Sequence, residues 1–203
     1  MFIITADQID SSHLDDIVAE TTDRLNRTYK KQLALPVDRN AGDEIQVLVA
    51  DALTALAIIV DLTRADQWSV GCGVGSVRTP LPRNTREATG PGFVAARAAV
   101  ERAKRAPLHF ALSSESPSAP DAEALVDLLL LARSRRTAEG WELFDLVSTG
   151  LSQSAAASEL GISPQAASQR ARAAGIRIEL AAIPALAAAL SRVDGGSEQT
   201  GMP

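Results

Sequence analysis

Two short stretches of the chain carry side chains that could do chemistry. The first is LSQSAAASELGISPQAASQRARAAG, residues 151–175. Gly161-Ile162-Ser163 separates two short helical runs with a tight turn and an apolar plug. Ser163 is placed to cap the second run and Pro164 to occupy its first turn. Leu151, Ala155, Ala156, Leu160 and Ile162 can then face an alanine stripe at Ala167, Ala171 and Ala174. That is the pattern of a helix-turn-helix, whose second helix enters the major groove of DNA. The face opposite the stripe carries Gln165, Gln169 and Arg172, with Ser168 beside them. Gln and Arg match the edges of adenine and guanine, while Arg and Ser match phosphate oxygens. Ser163, Gln165, Ala166, Ser168, Gln169, Arg170 and Arg172 form the candidate DNA-binding set. Arg170 and Arg177 add local positive charge, opposed in this segment only by Glu159. A solvated face on a protein-binding or dimerisation module is the competing reading.

The second stretch is DRNAGDEIQVLVAD, residues 38–51. Gly42-Asp43-Glu44 introduces the alternating Ile45, Val47 and Val49. Asn, Gly and Asp before a strand are ordinary turn chemistry. Two adjacent carboxylates at a hairpin are also a means of holding a metal ion and a nucleotide. Farther on, Gly90-Pro91-Gly92 opens a helix whose first amides favour anions, so Gly90 and Gly92 could wall a nucleotide pocket.

These residues are carried by a chain whose periodicity alternates. FIIT reads as a buried strand ending at Ala6-Asp7, followed by a helix over SSHLDDIVAETTDRLNRTYKK with Ser12 as N-cap. Its apolar face is Leu14, Ile17, Val18, Thr21 and Leu25. QLALPV and EIQVLVA form a hairpin. DALTALAIIVDLTRA is a helix, QWSVGCGVGSVRT a strand, GPGFVAARAAVERAKRA a helix and PLHFALS a strand. The order predicts an α+β domain over residues 1–114, a sheet covered by helices. ESPSAP supplies a linker at 115–120. Residues 121–193 read as an all-α domain, with the helix-turn-helix at about 150–175. Its last helix is PALAAALSRV, and 194–203 are expected to be a disordered tail.

In QWSVGCGVGSVRT, Trp68, Val70, Cys72 and Val74 share one face while Gly71, Gly73 and Gly75 share the other. Glycines on one face of a strand imply a close backbone approach. The partner expected is the helix bearing Ala95, Ala96, Ala98 and Ala99; a ligand or second subunit is the alternative. Cys72, on the apolar face, reads as a small core residue.

The bulk numbers exclude some classes. The 203-residue chain is 46% hydrophobic and 22% charged, with net charge −5, so no global positive field advertises nucleic acid or anionic membrane. One cysteine rules out an intramolecular disulfide and fits a reducing compartment. The apolar N-terminal run is short for a signal peptide, and no stretch reaches transmembrane length. The expectation is a cytoplasmic protein without a membrane partner.

FIITADQIDSS, AGDEIQVLVA and WSVGCGVGSVRTPLPRNTREATGPGFVAARAAVERAKR together resemble the SatD family of bacterial proteins. The resemblance is to actinobacterial members with a C-terminal helix-turn-helix, and it covers the chain to about Arg177. The N-terminal blocks are also distantly similar to the catalytic domain of class III nucleotide cyclases and to GGDEF domains. That similarity implies a ferredoxin-like, palm-type sheet. It also implies metal ligands at Asp7, ending the first strand, and at Asp43, after Gly42 in the hairpin. Such a pair would clamp the Mg²⁺ of a nucleoside triphosphate. The cyclase pattern further implies an Asn and an Arg on the helix after the Gly-Pro turn. Arg97 matches, but Phe93 stands where the Asn belongs. The developing charge then lacks a preorganised partner, which argues for sensing over turnover.

Two functions follow as expectations. One is a sequence-specific transcriptional regulator of double-stranded DNA, acting as a homodimer, its palm-like domain serving in dimerisation or nucleotide sensing. The helix DAEALVDLLLLARSRR or the helix IPALAAALSRV would supply the dimer contact. The other is a Mg-dependent enzyme acting on a nucleoside triphosphate and recruited to DNA.

Overall fold

β1 (Phe2–Gln8) has six of seven residues buried, so both faces of this strand are covered. It is the centre of a five-stranded mixed sheet in the order β2–β3–β1–β4–β5. The computed structural model describes residues 1–11, 16–40 and 42–195. Among these residues the protein is α+β, with that sheet and eight α-helices. β1 runs to Gln8, beyond the expected end at Ala6-Asp7, so Asp7 lies within the strand.

α1 (Val18–Thr28) buries Val18, Thr21 and Leu25. It starts later than expected, where the Val18 amide donates to Asp16 Oδ1 at 3.0 Å. Ser12, the expected cap, and Leu14 lie outside the described residues. β2 (Leu33–Arg39) and β3 (Glu44–Val49) pair antiparallel as a hairpin. Its turn uses Gly42 at φ +60°, a conformation that glycine adopts without strain. β2 contains Pro36 and two register shifts. There the Asn26 amide of α1 donates to the Val37 carbonyl at 3.0 Å and accepts from the Val37 amide at 2.8 Å.

α2 (Ala52–Leu62) is capped by Asp51, which accepts from Thr54 N at 2.8 Å. β4 (Trp68–Val74) runs antiparallel to β1 on the side away from β3. α3 (Pro91–Ala103) then returns the chain to β5 (Phe110–Ser113), which lies parallel to β4. At β5 the Leu112 amide donates to Glu123 Oε2 at 2.6 Å. Arg102 Nη1 donates to the Leu112 carbonyl at 3.0 Å and Arg102 Nη2 pairs with Glu123.

The glycine face of β4 receives α3. A Cβ on Gly71 would lie 2.6 Å from Val100 Cα, and one on Gly73 would lie 2.7 Å from Ala96 Cα. The alanine-bearing helix, rather than a ligand, therefore occupies that face. The opposite face is equally closed: Ile4, Val47, Val70 and Cys72 are fully buried, and α1 and α2 pack on the sheet. Burial drives the Cys72 thiol up to about 12, so it stays protonated in the folded chain. Alkylation of the native protein at mildly alkaline pH should therefore be as slow as the opening of the sheet. A native labelling rate equal to that in denaturant would contradict this.

α4 (Ala119–Ser134) begins inside the expected linker and ends before the expected boundary at Arg136. It is followed by α5 (Ala138–Ser148), α6 (Gln153–Glu159), α7 (Pro164–Ala173) and α8 (Ile176–Gly195). The chain clusters into two units. One is Met1–Asp127 with the chain from Leu186 onward; the other is Leu128–Ala185. α8 starts well before Pro184, which was expected to open it and instead lies inside. Its helix also takes in Asp194, which accepts from the Met1 ammonium group. The rest of the expected tail, residues 196–203, lies outside the described residues. Among the described residues, no single helix is long and apolar enough to cross a membrane.

Candidate functional site

In the second unit, α6 and α7 are built from local signals. Ser152 caps α6 by accepting from Ala155 N, and Ser163 caps α7 by accepting from Ala166 N, both at 3.2 Å. Between them Gly161 sits at φ +62°. Its amide donates to the Ser158 carbonyl at 3.1 Å and the Ile162 amide to the Ala157 carbonyl at 3.0 Å. This paired closure consumes carbonyls that the end of α6 would otherwise leave without donors. Leu143 of α5, Ala156 and Ala157 of α6, and Ala167 and Ala171 of α7 form one buried cluster with Ile176. Leu160, Ile162 and Ala174 pack at its margin. Ala155, expected inside, is half-buried, and Ala157 takes the interior position instead.

A buried ionic knot lies in the same unit. Glu179 of α8 pairs with both Arg133 of α4 and Arg136 just beyond it, the latter at 2.5 Å. All three residues are less than 9% exposed. Arg136 Nη2 also donates to the Ala174 carbonyl at 2.9 Å, at the end of α7. The guanidinium carbons of Arg136 and Arg133 stand 4.4 and 4.7 Å from the Trp141 ring centre.

With these anchors in place, α7 presents Gln165, Ser168, Gln169 and Arg172 to solvent. Ser163 is exposed at the start of the helix and Ala166 is half-buried. Arg170 turns toward α5, 3.5 Å from Glu142, and is half-buried. Gln153 Nε2 donates to Ser168 Oγ at 2.8 Å. Gln153, Ser168, Arg172 and Arg177 line one open groove. Gln153 had no place in the sequence-based set, although its position just after the α6 cap was visible.

The carboxylates of the first unit have different company. Register places Asp7 of β1 directly across from Glu44 of β3, so both side chains share the α3 face. Asp7 Oδ2 lies 3.0 Å from Lys104 Nζ. Glu44, 3% exposed, pairs with Arg97 and accepts from Asn40 Nδ2 at 2.6 Å. Glu101 joins the two cations, 3.4 Å from Arg97 and 3.3 Å from Lys104. Burial pulls the Lys104 pKa down, but the hydrogen bonds and charges of Asp7 and Glu101 outweigh it and hold it above its ordinary value. Asp43 is not part of this chain of charges; it accepts from the Ser11 hydroxyl. The spacing of Arg97, Glu101 and Lys104 along one helical face was readable in advance, though their strand partners were not.

The other nucleotide candidates lie elsewhere. Gly92 packs on Ile3 and Gly75, four residues along β1 from Asp7, or about 13 Å. The Gly92 amide donates to the Ser76 carbonyl at 3.1 Å, and the Phe93 amide to Gly90 O at 3.0 Å. Pro91 has no amide hydrogen to offer. Gly42, Asp43, Asp7 and Arg97 therefore gather at one end of the sheet, and Gly90 and Gly92 at the other. Of the expected metal pair, Asp7 is held by Lys104 and Asp43 by the Ser11 hydroxyl, so Asp7 would have to leave Lys104 before it could take a divalent cation. Among the described residues there is no group of three His, Cys, Asp or Glu able to hold a metal ion. Comparison with family models, with curated proteins and with solved structures returns no match.

Proposed function

We propose that this protein binds double-stranded DNA sequence-specifically, as a transcriptional regulator, through a helix-turn-helix formed by α6 and α7. The observation carrying this reading is the α7 surface: Gln165, Ser168, Gln169 and Arg172 exposed beside a glycine-closed turn. α7 would enter the major groove, with Gln169 and Arg172 on base edges and Ser168 on the backbone. Arg177 and Gln153 would widen the contact. The acidic net charge is no obstacle, since phosphate contacts depend on local charge. The first domain would be a ferredoxin-like, palm-type module. The strand order β2–β3–β1–β4, with every neighbouring pair antiparallel, supports that reading. An enzyme of nucleoside triphosphates would first have to release Asp7 and Glu44 from Lys104 and Arg97, so it has less support.

The test is selection of duplexes from a random pool by the full chain, followed by affinity at fixed salt. Gln169→Ala with Arg172→Ala should weaken binding to the selected duplex by about 1–3 kcal/mol per lost base contact. Both side chains are exposed, so the unfolding midpoint should stay where it is. An unenriched pool, or an unchanged affinity in the double variant, would end the proposal.

A further inference from the structure

α4 is apolar on two faces. Ala122, Val126, Leu129 and Leu130 are buried, yet Leu125, Leu128 and Leu131 are 40%, 64% and 38% exposed. With Ala124 and Ala132, also exposed, they make a continuous outer stripe at helical spacing. Asp121 stands at one end of the stripe. Arg135, in the turn that closes the helix, stands at the other.

The stripe is palindromic about Leu128. Counting outward, Leu125 mirrors Leu131, Ala124 mirrors Ala132 and Asp121 mirrors Arg135. A two-fold axis through Leu128 makes every residue meet its mirror on a second copy, which is the condition for an isologous interface. The charges choose the direction. Two antiparallel α4 helices bring each Asp121 to the partner's Arg135, whereas parallel helices oppose like charges at both ends. Within one helix the two residues are about 21 Å apart and cannot pair. We infer that the protein forms a homodimer by antiparallel packing of this α4 face. A single helix face is narrower than the roughly 800 Å² per partner of a standard interface, so the dimer dissociates on dilution. The inference does not depend on DNA binding and is read without DNA.

Sedimentation equilibrium of the full chain over a dilution series should show a monomer–dimer equilibrium. Leu128→Glu puts two carboxylates on the axis and should weaken the dimer about 100-fold or more. Leu128 is exposed and Glu is a good helix former, so the fold should persist, as circular dichroism would verify. Asp121→Arg and Arg135→Asp should each weaken association, and the double variant should restore it. Restoration is possible only if the pair forms between copies. A monomer at all concentrations, a dimer indifferent to Leu128→Glu, or charge reversals without restoration would overturn the inference.

Discussion

Gly71→Ala should cost the first unit about 3 kcal/mol, the upper end for overpacking a filled interior. The added methyl meets main chain, with Val100 Cα at 2.6 Å and the Ala99 carbonyl carbon at 2.7 Å. A side chain could rotate away, but here α3 itself must lift from the sheet. Gly75→Ala provides a graded comparison, because its nearest neighbours, Gly92 N and Cα, are 3.1 and 3.2 Å away. That replacement should cost distinctly less. Urea titrations of both variants would measure this as a shift in midpoint at unchanged slope. Equal midpoints for Gly71→Ala and the parent chain would show that the close approach of α3 to β4 is not there.

Glu179→Ala is expected to destabilise the second unit by about 3–5 kcal/mol. The carboxylate is the shared counter-ion of Arg133 and Arg136, and its removal leaves two guanidinium groups together inside the protein. Their stacking on Trp141 and Phe144 does not neutralise charge. Trp141 stacks on this knot, so unfolding followed by its emission in a Trp68→Phe background is the natural readout. Replacing Arg133, Arg136 and Glu179 together with apolar residues of similar volume should be far milder than removing Glu179 alone. A loss below about 1 kcal/mol for Glu179→Ala would mean that water reaches the pair of arginines.

What could be read in advance was local. The Ser163 cap, the Gly161 turn and the alanine stripe each depend on residues within a few positions, and all are present. The glycines of β4 and the alanines of α3 also announced each other, because only a small-residue helix can approach a strand that closely. Elements defined by distant partners were less legible. Pro184 resembles a helix start, yet α8 begins at Ile176 with Glu179 already bonded in its first turns. Asp7 and Asp43 looked alike as acidic residues near a turn. Strand register separates them, giving Asp7 to Lys104 and leaving Asp43 with Ser11. Glu44, beside Asp43, is the carboxylate that is buried and committed. Nothing in the local sequence tells which of two adjacent acids faces inward once the hairpin has closed.

β2 and β5 form the two outer rims of the sheet. An open rim is a row of amide donors and carbonyl acceptors onto which a foreign strand can build, the route to runaway aggregation. On β2, Pro36 has no donor, and the donor and acceptor of Val37 are both spoken for by Asn26. On β5, Leu112 is treated the same way: Glu123 takes its amide hydrogen and Arg102 satisfies its oxygen. Each rim thus carries a side-chain imitation of one more strand, a plug that satisfies the main chain but offers no ladder to the next molecule. Another copy of the chain would find no template for strand addition at these two positions.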